Sequence, residues 1–219
     1  MIPSQGEIIS VFDATNFETH CETLAARNAV FRGILDRNGY PPLWQREPNF
    51  TTLARIILEQ QVSLASANAT YQKLTQAVPK FTPAELRKLT SEEMRACAVS
   101  RQKAGYLHVL ADAVTSGQLD IAKLSQLPDD QVRQQLLQVK GIGQWTADVF
   151  LMLALNRTDC FPLGDVALRN SLQHEFQLTA DQFAETSPAL IESWSPFRTI
   201  AAYLLWHAYI QRKQIDFLG

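Results

Sequence analysis

The sequence predicts an all-α fold: a two-lobed helical bundle with an interlobe cleft. Three observations lead there. Apolar residues recur at three- and four-residue spacing along most of the 219-residue chain. Cap and stop residues bracket those runs. No alternation of period two, the mark of a half-buried strand, extends for any length beyond residue 15. Roughly ten helices of ordinary length account for the chain.

Taken in order, the short stretch Ile8-Ile9-Ser10-Val11-Phe12 reads as extended. Leu53, Ile56, Ile57 and Gln60 share one helical face behind the cap candidate Asn49. Ala67, Tyr71, Leu74 and Val78 share another after Ser63. Thr82-Pro83 with Glu85 has the form of a capping box with proline at the first helical position. Ser100 opens a helix carrying Ala104, Leu107, His108 and Ala111, and Gly117 closes it. Pro128-Asp129-Asp130 opens one carrying Val132, Leu136 and Leu137. Ala147 to Leu155 reads as a buried helix from its apolar content, and Val166 to Phe176 and Pro196 to Gln211 follow.

With 46% hydrophobic residues the chain can bury a core, either as one large domain or as two small intertwined lobes. The N-terminal segment and 160–219 are expected to form one lobe and about 50–155 the other, with a hairpin at 138–144. A cleft between lobes is the default place for a site. The formal net charge of -2 disfavours a general nucleic-acid coat protein. A nucleic-acid enzyme remains open to such a chain if basic groups and backbone donors gather on one face.

Cys21, Cys97 and Cys160 are widely spaced and odd in number, as free thiols in a reducing compartment would be. No iron–sulfur cluster of the four-cysteine type and no zinc site is expected. The first residues lack the basic flank and apolar run of a signal peptide, and no apolar run spans a bilayer. A soluble, cytoplasmic protein is the expectation.

Two segments carry chemistry. Leu136-Leu137-Gln138-Val139-Lys140-Gly141-Ile142-Gly143-Gln144-Trp145-Thr146-Ala147 reads as helix, glycine hairpin, helix. Gly141 and Gly143 permit the turn and uncover N–H groups beside a helix N-terminus, where an anion such as a phosphate is favoured. An ordinary glycine-capped helix turn would look the same. About twenty residues on, Asp165 follows the Pro/Gly loop Phe161-Pro162-Leu163-Gly164 and precedes an apolar helical run. Alone it is a plain N-cap. The combination is more specific than either part.

That combination resembles the signature of the helix-hairpin-helix DNA glycosylase superfamily. Within it the chain is most similar to the alkylation-repair branch, DNA-3-methyladenine glycosylase II. Ile57-Leu58-Glu59-Gln60-Gln61-Val62-Ser63 looks like that branch's Gln-Gln-x-Ser turn, and Gly143-Gln144-Trp145-Thr146-Ala147-Asp148 like its Trp-Thr-Ala segment. Trp194-Ser195-Pro196-Phe197-Arg198-Thr199 with Tyr203-Leu204-Leu205-Trp206 looks like its C-terminal signature. The resemblance runs from about Ala29 to His207.

It implies a monofunctional glycosylase that flips alkylated purines, of the 3-methyladenine and 7-methylguanine type, out of double-stranded DNA. The N-glycosidic bond is then hydrolysed in base excision repair. Asp165 would be the catalytic carboxylate, stabilising positive charge on the sugar or orienting the attacking water. Trp145 stands where the superfamily's bifunctional members carry a lysine nucleophile, so no Schiff base and no strand cleavage is expected. Trp145, Trp206, Tyr203 and His207 would line the base pocket, since electron-rich rings favour a cationic purine. Lys140, Gly141, Gly143, Gln144, Thr146, Gln60, Gln61, Ser63 and Arg198 would approach DNA. Gln61 is the candidate to fill the gap left by the flipped base. Arg198 would meet a phosphate or brace the aspartate loop. The backbone of Leu137, Val139 and Ile142 would hold a monovalent cation, Na+ or K+; no other cofactor is expected, and the enzyme would act as a monomer.

Three positions depart from the pattern. His207 stands where arginine often follows the tryptophan, Val149 where some members have an aromatic, and Cys97-Ala98-Val99-Ser100 replaces Gly-Leu-Ser ahead of the helix with Lys103. Other readings are a catalytically silent DNA-damage binding module, a glycosylase for deaminated or mismatched bases, and a helical protein-interaction domain.

Overall fold

A computed structural model describes residues 10–215, and among them every regular element is a helix. In chain order these are α1 (Phe17–Arg27), α2 (Ala29–Asn38), α3 (Phe50–Glu59), α4 (Leu64–Ala77), α5 (Pro83–Leu86), α6 (Ser91–Ala96) and α7 (Arg101–Thr115). There follow α8 (Ile121–Leu124), α9 (Asp129–Leu137), α10 (Gln144–Leu153), α11 (Val166–Glu175), α12 (Ala180–Glu192) and α13 (Arg198–Lys213). The all-α expectation holds. The number of helices exceeds it: α1, α2, α6, α8 and α12 are not among the elements read from the sequence, and of these α8, four residues long, is too short to show a period.

Among the described residues the chain divides into two compact units, Arg46–Leu155 and Ser10–Gln45 with residues 156–215. In the first, α3 packs against α4, α7 and α10. Asn49 caps α3 by accepting from Thr52 N at 3.0 Å, and Leu53, Ile56 and Ile57 are fully buried. Each such side chain contributes roughly 1.5–3 kcal/mol of burial. Ser63 and Ser100 cap α4 and α7 in the same way. The capping box expected at Thr82 is only half made: Thr82 accepts from Glu85 N, but the Glu85 carboxylate is taken by Lys88. Complete boxes stand instead at Thr90 with Glu93 and at Thr179 with Gln182.

In the second unit α13 packs against α1, α2 and α11. Val11 forms a single antiparallel bridge with Arg157, flanked by Phe12 N to Asn156 O at 2.9 Å and Thr158 N to Ser10 O at 3.2 Å. The expected extended stretch is thus one bridge long here; Ile8 and Ile9 lie outside the described residues. No described helix is long and apolar enough to cross a membrane. The three cysteines are buried free thiols, and no group of three or more His, Cys, Asp or Glu among the described residues could hold a metal.

Candidate functional site

The first half of the candidate machinery lies in the unit Arg46–Leu155. After α9 the chain turns through Val139 N to Leu136 O and Ile142 N to Val139 O, both 3.0 Å. Val139 and Ile142 are buried and anchor the turn, while Lys140 and Gly143 face solvent. Gly141 sits at φ +102°, and a Cβ there would lie 2.3 Å from Cγ of Tyr106 on α7. Both facts demand glycine. Gly143 is the N-cap of α10 in extended conformation, supplies no side-chain cap, and would meet nothing within 4 Å if given a Cβ. The first-turn N–H groups of α10 are therefore not covered by a cap side chain, and the helix dipole favours an anion there. Gln144 donates to Asp148 at 3.0 and 3.2 Å, and Arg133 Nε meets the same carboxylate at 2.8 Å. Trp145 is half-buried on the first turn.

Gln60 and Thr146, expected among the DNA contacts, turn into the protein. Gln60 Nε2 donates to Gly141 O and to Thr146 Oγ1, each at 2.9 Å, and Thr146 is fully buried. A carbonyl in a tight turn has no helical partner, and the glutamine amide provides one. Gln61 and Ser63 stay exposed on the α3–α4 turn, beside exposed Val62 and Leu64. Gln61 holds a left-handed backbone, φ +56°. Lys103 Nζ donates to Leu58 O at 2.7 Å at the end of α3; burial lowers its pKa, and Glu59 opposes that shift.

The second half lies in the unit built on α13. Asp165 is the N-cap of α11, half-buried, with Oδ1 accepting from Leu168 N at 2.9 Å. The same oxygen accepts from the indole Nε1–H of Trp206 on α13 at 3.2 Å. Trp206 is half-buried and meets Trp44 edge-on with centroids 6.2 Å apart. Tyr203 is fully buried beneath them, ringed by Phe12, Phe17 and Trp44. It supports the aromatic cluster from behind and does not present a wall, contrary to expectation. His207 is likewise buried, with Nε2 3.0 Å from the Asn38 carbonyl at the end of α2. A ring so held closes a helix end and is not a pocket surface.

Arg198 is paired with two carboxylates of the protein. Its Nε and Nη2 each lie 2.8 Å from an oxygen of Asp159, and Nη1 lies 2.9 Å from Glu192. Ser195 Oγ donates to Asp159 at 2.8 Å. Burial pushes Asp159 up, but the Arg198 fork, Ser195 and the Arg198 N–H together hold it below the usual carboxylate range. Sequence reasoning missed Asp159 and Trp44. The signal for Trp44 was a tryptophan directly after the rigid Tyr40-Pro41-Pro42-Leu43 segment, where helical periodicity says nothing.

Residues 54–196 match the HhH-GPD superfamily of base excision DNA repair proteins. The chain is 32% identical over 166 residues to DNA-3-methyladenine glycosylase 1 of Schizosaccharomyces pombe, covering 74% of this chain and 72% of that relative. Among solved structures it resembles the 3-methyladenine DNA glycosylase of that yeast in complex with abasic DNA, with TM-score 0.78 and 27% identity over 92% of this chain and 100% of that one. A DNA-3-methyladenine glycosidase from Bacillus halodurans gives TM-score 0.73 and 27% identity, covering 95% of each chain. The chain therefore belongs to the HhH-GPD superfamily of base excision DNA repair proteins.

Proposed function

We propose that the protein is a monofunctional DNA glycosylase that excises alkylated purines from duplex DNA and leaves an abasic site. The observation that carries this is the held carboxylate of Asp165, fixed by one backbone and one indole N–H on the same oxygen. The names of the relatives and the abasic DNA bound to the yeast enzyme support the substrate class.

Cleavage of the glycosidic bond builds positive charge on the sugar, and a fixed carboxylate stabilises it without reorganising. Asp165 also orients or deprotonates the incoming water. The exposed hairpin around Lys140, Gly143 and the α10 N-terminus docks a phosphate without reading sequence. A monovalent cation on the carbonyls of Leu137, Val139 and Ile142 would stiffen that turn. Val139 O already accepts from Ile142 N at 3.0 Å, and its second lone pair suits a further ligand. Gln61, on the exposed turn, fills the space left by the flipped base. On the family resemblance Trp145 stands where bifunctional members carry a nucleophilic lysine, which supports base release with no Schiff base and an intact backbone.

Methylated duplex DNA incubated with the wild type should release methylpurines, and the Asp165→Asn variant should release none. Borohydride should trap no protein–DNA adduct. Tight binding of abasic-analogue DNA without any base release would favour the silent damage-binding module.

A further inference from the structure

We infer that Gln60 is a positioning residue that couples the gap-filling turn to the phosphate-binding hairpin. The inference rests on the glycosylase reading above. Gln60 is the last residue before the exposed turn that carries Gln61, whose backbone is left-handed at φ +56°. Its amide crosses to the other element and donates twice, to Gly141 O and to Thr146 Oγ1, at 2.9 Å each. Gly141 is the apex of the hairpin turn, and Thr146 lies in the first turn of α10. One side chain thus ties together two loops more than eighty residues apart in sequence. On the other side, Lys103 Nζ on Leu58 O holds the end of α3, so the residue feeding the turn has little freedom to drift.

The two loops do separate work on duplex DNA. One grips the backbone and the other enters the stack, and their mutual offset must match the spacing between a phosphate and the vacated base. Three packed groups with two directed hydrogen bonds set that offset in advance, as preorganisation requires. A single-stranded substrate needs no gap filled and makes little use of the offset.

The test compares release of 7-methylguanine from methylated duplex and from methylated single-stranded DNA. Gln60→Met, close in size but unable to donate, should lower the duplex-to-single-strand ratio of kcat/KM about tenfold, the change expected from one to two net hydrogen bonds. Thr146→Val, which removes one acceptor while keeping shape, should lower the same ratio by a smaller factor and serves if Gln60→Met fails to fold. The effect should also appear as weaker binding of an abasic-analogue duplex, a readout that needs no catalysis. A general structural defect would reduce both substrates in parallel; an unchanged ratio in either folded variant overturns the inference. Failure of the glycosylase reading is distinct, because the wild type would then release no base from either substrate.

Discussion

The indole N–H of Trp206 and the backbone N–H of Leu168 converge on one oxygen, Oδ1 of Asp165, at 3.2 and 2.9 Å. The aromatic position on α13 and the carboxylate at the head of α11 are therefore one unit. Asp165→Asn should abolish excision yet leave stability within about 0.5 kcal/mol, since asparagine caps a helix as well as aspartate. Trp206→Phe keeps a ring and deletes the donor, so kcat should fall about tenfold. Excision assays beside urea unfolding check both.

The two hairpin glycines should separate cleanly. Gly141→Ala forces a Cβ into Tyr106 at a positive φ, and should cost about 2 kcal/mol or more of stability. Gly143→Ala meets open space, so its melting temperature should change little while affinity for an abasic-analogue duplex drops. Equal loss of stability in both would argue against the crowding at Tyr106.

Asp159 makes stability sensitive to acid. Its folded pKa lies below the model-peptide value of 3.8, so its contribution is fully present above that value and is lost as pH falls through the lower folded one. Urea midpoints for the wild type should decline below about pH 4, and Asp159→Asn should be weaker at neutral pH with a shallower acid decline. Arg198→Lys breaks the planar fork and should weaken the protein at pH 7, by about 1–3 kcal/mol.

Trp44 meets Trp206 edge-on and lies 5.2 Å from Tyr203, ring centroid to centroid. Trp44→Ala should raise KM for methylated duplex several-fold by releasing Trp206, with a smaller fall in kcat because the Asp165 cap on α11 remains. Steady-state kinetics distinguish the two parameters.

Much of this was legible in the residues. Asn49, Ser63, Ser100 and Asp165 all cap the helices their positions announce, because N-cap preference is local chemistry. The hairpin was legible for the same reason, two glycines at a turn. The inward turn of Gln60 was not: its partners lie 81 and 86 residues away, and no local pattern encodes a long-range acceptor. His207 and Tyr203 matched expected positions in sequence while their side chains met buried partners. Helix α12 escaped notice because Pro188 interrupts its period, although Thr179 and Gln182 gave a capping signal.

The unit that carries Asp165 is made of two pieces of chain joined by the Val11–Arg157 bridge, with all of Arg46–Leu155 inserted between them. During synthesis the inserted segment emerges complete while its host still lacks α11 and α13. The carboxylate of Asp165 acquires its indole partner only after residue 206 has left the exit tunnel, when every residue of the hairpin unit has long been made.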